Sequence, residues 1–280
     1  MAKINLTSPS QVKAWCIENE FHPNKVLGQN FLIDRNALVS IVDAGLAAGG
    51  AAATAEGEHV LEIGPGLGVL TEEMLARGCR VTAIEKDPVL AERLAEALGH
   101  PAGLTVVAAD ALDFIASPEW HLKEKPTFTR MISNLPYQAG TRILLELVKR
   151  RELKAMTALV QTEVAERLAA GEGTKTRGLA GVWAQLDYDV AIVRKVAASC
   201  FWPRPEIGSS VVTLTRHERN IAFSAEERDI FHRLTKKAFE HRRKQLGSVF
   251  KDMIQSTARA EELSNEDWIT LVKGLMHEDA

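Results

Sequence analysis

From His59 onward, short apolar runs alternate with stretches of helical periodicity, the pattern of a parallel sheet covered on both faces. The runs predict strands over Val60–Ile63, Val81–Ile84, Thr105–Ala108, Arg130–Ser133, Ala155–Gln161, Val190–Val196 and Val211–Arg216. Helices are predicted over Leu70–Arg77, Pro88–Leu98, Gly140–Arg150 and Thr162–Ala170. Seven strands in this order predict a doubly wound α/β sheet. The last two strands, close together with no full helix after Cys200, predict an antiparallel pair. Before this region, Ser8-Pro9 opens a short amphipathic helix through about Asn19, and a second helix runs from Asp34 to about Leu46. Ala47 to Ala55 is a Gly/Ala-rich connector of low complexity. From about Asn220 to Ala280 there is no strand pattern, so a small all-helical domain is expected. The chain then divides into 1–219, with an N-terminal helical cap over 1–58, and 220–280.

Composition narrows the class. With 280 residues, 46% hydrophobic and 25% charged, the chain can bury a proper core without disulfides or metals. Cys16, Cys79 and Cys200 have neither metal-ligand nor redox spacing, which suits structural thiols in a reducing compartment, and no metal is expected. No basic-then-apolar leader opens the chain and no apolar run approaches the roughly 18 residues of a membrane span, so a cytoplasmic location is expected. The net charge of -3 carries no overall signal for nucleic acid. Between Arg228 and Lys251, however, eight Lys/Arg stand against Asp229 and Glu240, a local net of +6 that leaves the rest at -9. A helix face bearing Lys236, Lys237, Arg242, Arg243 and Lys244 suits phosphate contacts on a structured RNA. The alternative is a solvated helix with intrahelical ion pairs.

The candidate chemistry sits at strand ends. Glu62-Ile63-Gly64-Pro65-Gly66-Leu67-Gly68 joins the first strand of the sheet to its helix, where small residues let the backbone approach a nucleotide ligand. Val69 stands where a dinucleotide fingerprint needs its third glycine, and the Glu62 carboxylate would repel a pyrophosphate. Both favour a cofactor with a cationic, amino-acid-like part, such as S-adenosylmethionine. Glu85 closes the second strand at the position from which an acid accepts from ribose hydroxyls, and Asp110 after the third could accept from an adenine amine or simply cap a helix. After the fourth strand comes Asn134-Leu135-Pro136-Tyr137. The Asn134 side-chain oxygen and a carbonyl of Leu135 or Pro136 could accept both hydrogens of a nucleobase amine, localising its lone pair, while Tyr137 offers a face for stacking. Read alone, the tetrapeptide could equally be an Asn-Pro turn with a packed tyrosine. Lys25 to Leu32, with Gly28, Gln29 and Asn30, reads from composition as a linker in preference to a loop lying across a ligand.

Taken together, Leu27-Gly28-Gln29-Asn30-Phe31-Leu32-Ile33-Asp34, Leu61 to Gly68, Ile84-Glu85-Lys86-Asp87, Asn134 to Tyr137, Glu163-Val164-Ala165-Glu166-Arg167, Phe201-Trp202-Pro203-Arg204-Pro205 and Arg242-Arg243-Lys244 resemble, in order, the ribosomal RNA small-subunit adenine dimethyltransferase family. The resemblance implies a Rossmann-like class I methyltransferase sheet and S-adenosylmethionine as cofactor, with S-adenosylhomocysteine as product. It implies that Asn30 and Leu32 cover the cofactor, in place of the linker reading, and that Gly64, Glu85, Asp110 and Asn134 contact it. Gln29, Gly66, Lys86 and Ala111 complete that candidate set. The target adenine would stack between Tyr137 and Phe201. The implied substrate is a pair of adjacent adenosines in the 3'-terminal hairpin of small-subunit ribosomal RNA, with the small subunit as partner and the enzyme a monomer. Two departures stand out: Arg177-Gly178 where the family usually has Tyr-Gly, and Glu206-Ile207-Gly208-Ser209 where it usually has Lys-Val-Asp-Ser. Both are expected to flank the substrate side without touching the proposed acceptors. Rival readings are a large-subunit RNA or DNA adenine methyltransferase, and a ribosome-assembly factor in which methylation is secondary.

Overall fold

The computed structural model describes residues 4–24, 27–50, 56–117, 120, 128–217 and 223–278. The chain forms two compact units, one of Met1–Ala165 with Ala191–Arg216, the other of Glu166–Val190 with His217–Ala280. In chain order the elements are α1 (Pro9–Glu18), β1 (Phe31–Leu32), α2 (Arg35–Ala47), β2 (His59–Ile63), α3 (Val69–Ala76), β3 (Arg80–Glu85), α4 (Pro88–Ala97), β4 (Leu104–Ala108), α5 (Ala111–Ala116), β5 (Arg130–Asn134), α6 (Gly140–Leu147), β6 (Ala155–Gln161), α7 (Thr162–Ala169), α8 (Leu179–Asp187), β7 (Tyr188–Val196), β8 (Phe201–Trp202), β9 (Ser209–Arg216), α9 (Ala225–Glu240), α10 (Leu246–Phe250) and α11 (Asn265–Glu278).

Seven strands form one sheet in the order β4-β3-β2-β5-β6-β9-β7. The first five are parallel to their neighbours, and β9 runs antiparallel to β6 and neighbours β7 at the sheet edge. The expected doubly wound sheet with its last pair antiparallel is present. The central strands are buried on both faces because helices cover both: along β5 and β6 only the terminal Asn134 and Gln161 are not buried. The apolar face of α2 packs Leu38, Ile41 and Val42 against Val60, Ile132 and Leu159. Helix starts follow the acids that end strands or loops: Asp34 accepts from Ala37 N at 2.7 Å, and Asp87 from Val89 N at 3.0 Å. The strand order reverses between β2 and β5, which leaves a crevice at their carboxyl ends.

Three expectations change. The segment read from composition as a linker contains β1, which pairs antiparallel with β8 through Phe31↔Trp202 and Leu32↔Phe201. Ala111–Ala116 is a helix too short to show periodicity in sequence. A further helix absent from the predicted set, α8, begins at Leu179. The expected domain boundary at 219/220 lies outside the described residues, as do residues 51–55 of the Gly/Ala-rich connector. The helical unit also takes in Glu166–Val190, because Val182 and Leu186 of α8 are buried in the same cluster as Phe231, Trp268 and Val272. Arg177, the departure from the family pattern, is also interior to this unit: 1% exposed, it donates to the carbonyl of Ala170 at 3.1 Å and to Asn265 Oδ1 at 2.9 Å. Among the described residues no helix is long and apolar enough to cross a membrane.

Close backbone approach within the helical unit makes a specific demand. A Cβ on Gly181 would lie 2.5 Å from the carbonyl oxygen of Arg167, and backbone cannot yield as a side chain can. Gly181→Ala should destabilise the full chain by about 1–3 kcal/mol in thermal unfolding. Gly274→Ala, in α11 with nothing within 4 Å, should instead stabilise it by about 0.5–1 kcal/mol.

Candidate active site

A cavity of about 360 Å³ opens at the carboxyl ends of β2, β3 and β5, and all of its lining residues come from the sheet-bearing unit. Its floor is the turn after β2, where Gly64 and Gly66 have φ of +67° and +59°. A Cβ on Gly66 would come within 3.1 Å of the Phe31 ring, so the glycine lets the β1 segment close over the turn. Leu32, 1% exposed, and Ala111 at the start of α5 add apolar wall.

The acids behave differently from one another because their surroundings differ. Glu62 is 1% exposed and accepts one hydrogen bond, from Thr71 Oγ1 at 2.6 Å. Burial pushes its pKa from the usual 4.5 to about 8, with the nearby Glu85 charge adding to the rise. From sequence alone, Glu62 is expected to be a standing negative charge. In the protein without ligand that charge is conditional, and the acid is largely neutral near neutral pH. Glu85, 6% exposed, accepts from Gly66 N at 3.1 Å and Asp87 N at 2.9 Å, one bond on each oxygen. Burial raises its pKa while those N–H groups oppose the rise, and each oxygen keeps capacity for a ligand hydroxyl. Asp110 caps α5 through Leu112 N at 2.8 Å and pairs with Lys86 Nζ at 2.8 Å, which holds its pKa down. Lys86 and Asp110 therefore neutralise each other at the rim.

The N-terminal loop is held to this wall. Gln29 donates from Nε2 to Asp87 Oδ2 at 2.9 Å, and its Oε1 accepts from Asn24 N at 2.7 Å. Both ends of the Gln29 amide are engaged, which makes the residue a strut between the loop and α4. Asn30 donates to the Gly28 carbonyl at 3.1 Å, and its own carbonyl accepts from Asn134 Nδ2 at 3.1 Å. That bond sets the Asn134 carboxamide so that Oδ1 is its free acceptor, with no donor among the described residues. The Pro136 carbonyl, in contrast, is engaged by Gly140 N at 2.8 Å and Ala139 N at 3.2 Å as the start of the following helix. Of the two backbone acceptors expected from sequence, Leu135 O remains.

Tyr137 is half-buried, lines the cavity, and shares a 2.5 Å hydrogen bond between its hydroxyl and that of Ser209. Burial raises the Tyr137 pKa. Through Ser209 the Glu206–Ser209 segment meets the expected stacking residue Tyr137, and among the described residues it makes no hydrogen bond to the proposed acceptors. Phe201 is not brought to the cavity: 2% exposed, it belongs to the core cluster that contains Leu32 and Leu38. The pairs Glu62–Thr71 and Tyr137–Ser209 had no sequence signal, the second joining positions 72 apart. Among the described residues no group of three or more His, Cys, Asp or Glu could hold a metal ion.

In the helical unit the basic stretch sorts into paired and unpaired charges. Arg228 makes two bonds to Asp187, at 2.7 and 2.9 Å, and Arg233 pairs with Asp229 at 2.9 Å. Arg242, an expected RNA contact, donates to the Lys175 carbonyl and lies 3.5 Å from Glu261, so it is engaged internally. Lys236, Lys237, Arg243 and Lys244 are exposed, with no carboxylate partner among the described residues.

The cavity fits S-adenosylmethionine in its chemistry: a glycine turn where a Cβ would strike Phe31, acids with open acceptors, and an apolar wall. Sheet order and site define the Rossmann-like class of methyltransferases. The family model described as Ribosomal RNA adenine dimethylase matches residues 20–275, and the chain belongs to that family. It is 44% identical to the Ribosomal RNA small subunit methyltransferase A of Deinococcus radiodurans, over 78% of this chain and 71% of that one. The protein of the same name in Moorella thermoacetica is 34% identical over 98% and 99% of the two chains. Among solved structures, a dimethyladenosine transferase from Plasmodium falciparum superposes with a TM-score of 0.71 at 21% identity, covering 89% of this chain and 98% of that one. The 23S rRNA methyltransferase ErmE gives 0.64 at 22%, covering 88% and 100%; both likenesses speak to the fold.

The Glu62 environment makes stability depend on pH. An acid whose folded pKa is raised stabilises the fold below its unfolded value and loses that contribution as pH rises through about 8. The ligand-free melting temperature should fall between about pH 5 and pH 8, and Glu62→Gln, which keeps an acceptor for Thr71, should flatten the fall.

Proposed function

We propose that this protein transfers methyl groups from S-adenosylmethionine to the exocyclic amines of two adjacent adenosines in the 3'-terminal hairpin of small-subunit ribosomal RNA. Each adenosine ends in its dimethyl form, and the activity serves small-subunit biogenesis in the cytoplasm. The observation that carries this reading is the Asn134 carboxamide, oriented by Asn30 so that an oxygen acceptor is left at the cavity. The names of the small-subunit relatives and the family membership support the substrate class.

When bound, S-adenosylmethionine supplies an electrophilic methyl group on a sulfonium. The protein's work is to make an adenine amine attack. That amine is a poor nucleophile because its lone pair is delocalised into the ring. Asn134 Oδ1 and Leu135 O accept its two hydrogens, which pyramidalises the nitrogen and aims the lone pair. The same oxygens stabilise positive charge as it grows on nitrogen. No strong base is needed in this scheme, since the nitrogen turns acidic only as the new bond forms and then releases its proton to water. After the first transfer one amino hydrogen remains, and one acceptor suffices to orient the second. The base must leave its stack to reach the pocket, where the Tyr137 ring receives it. The exposed cations Lys236, Lys237, Arg243 and Lys244 would meet RNA phosphates.

Labelled methyl transfer to undermethylated small subunits, compared with large subunits and DNA and followed by identification of the nucleoside, tests the reading. Dimethyladenosine in the small-subunit RNA is the expected product, and label only in large subunits or DNA would refute it. Asn134→Ala should lower kcat by about 10²-fold or more while cofactor binding stays measurable. Reversing the charge of Arg243 and Lys244 together should weaken small-subunit binding and reduce its salt slope by about 1.4–1.8, since each lost phosphate contact is worth roughly 0.7–0.9. An unchanged slope would remove that face from the RNA contact.

A further inference from the structure

We propose that Ser209 is a positioning residue of the methyl-transfer site, holding the Tyr137 ring where the target base must stack; this rests on the adenine-methylation reading above. The two hydroxyls lie 2.5 Å apart, and Ser209 is 1% exposed. Ser209 is itself held on both sides. It opens β9 opposite Gln161 of β6. The preceding Gly208 carbonyl accepts from Thr162 N at 3.1 Å, and the following Ser210 shares a 3.0 Å hydroxyl bond with Thr162. Tyr137 sits in the turn after β5 with its ring half-buried along the cavity.

The mechanics follow from the shape of the side chain. A phenolic oxygen lies on the long axis of its ring, so tethering that oxygen stops the ring from swinging about the Cα–Cβ bond. The in-plane preference of a phenol O–H also biases the tilt of the face. Stacking needs that face at a defined height and angle, since a small misplacement of the base removes its amine from the two oxygen acceptors. The hydroxyl already bound to Ser209 has a mechanical part to play and is not needed to take the amine proton. The tether also crosses β6, linking the turn that carries Asn134 to the first residue of β9.

The test uses the full chain with undermethylated small subunits. Ser209→Ala should lower kcat about tenfold while cofactor Kd and subunit affinity stay within about twofold, and Ser209→Thr, which keeps the hydroxyl, should recover turnover to within about threefold of the parent. Tyr137→Phe cuts the same tether, so adding Ser209→Ala to it should cause no further loss. The chain has two tyrosines, and the other, Tyr188, is 1% exposed. Ring-labelled tyrosine NMR therefore reads the tether without catalysis: in Ser209→Ala the Tyr137 ring signals should shift and broaden while those of Tyr188 stay. Unchanged Tyr137 signals, full turnover in Ser209→Ala, equal losses in the Thr and Ala variants, or additive losses in the double variant would overturn the proposal. If the parent protein itself fails to methylate small subunits while Ser209→Ala still moves the Tyr137 signals, the reading beneath the proposal falls and the tether stands.

Discussion

The hydrogen bond from Asn134 Nδ2 to the Asn30 carbonyl decides which end of one amide faces the cavity, and much of the surrounding structure serves to hold it. Asn134 ends β5 at the centre of the sheet, so its backbone has little freedom. Asn30 precedes β1, which is secured by pairing with β8 and by the bond from Ile33 N to the Cys200 carbonyl at 2.8 Å. Bringing the loop this close requires Gly28, whose φ is +67° and whose missing Cβ would stand 3.2 Å from Tyr137 N. A two-stranded ribbon that looks incidental thus sets the polarity of the site.

Around that bond, the acids of the cavity are tuned by contact more than by count. Glu62 is buried with its pKa raised by that burial, Glu85 is nearly as buried yet braced by two backbone N–H groups, and Asp110 is partly exposed and paired with Lys86. The arrangement can meet a cationic ligand by ionising one buried acid without maintaining a cluster of bare charges beforehand. The same economy of polar groups applies to the turn after β5, where the Pro136 carbonyl begins a helix and the Leu135 carbonyl remains for a partner.

The helical unit carries its own logic. Its apolar cluster recruits α8 from the middle of the chain, and several of its cations serve internal pairs with Asp187, Asp229 and Glu261. Lys236, Lys237, Arg243 and Lys244 are left exposed, with no carboxylate partner among the described residues. Arg177 is a buried donor to carbonyl and amide oxygens, so its part is to hold helices together.

The positions of the strands, the glycine turn, the series of acids and the Asn134–Tyr137 stretch were all legible in the amino acids, because period, backbone demand and chemistry at strand ends are local properties. Family resemblance supplied the role of the N-terminal loop, which composition read as a linker because a two-residue strand has no period to detect. Only the tertiary structure could decide which carbonyl after Asn134 stays free, that Gln29 braces the loop with both ends of its amide, that Phe201 turns into the core, and that Ser209 meets Tyr137 across 72 positions. Each is the outcome of competition among distant groups for a limited number of hydrogen bonds and a limited volume of core, and no local pattern records who wins.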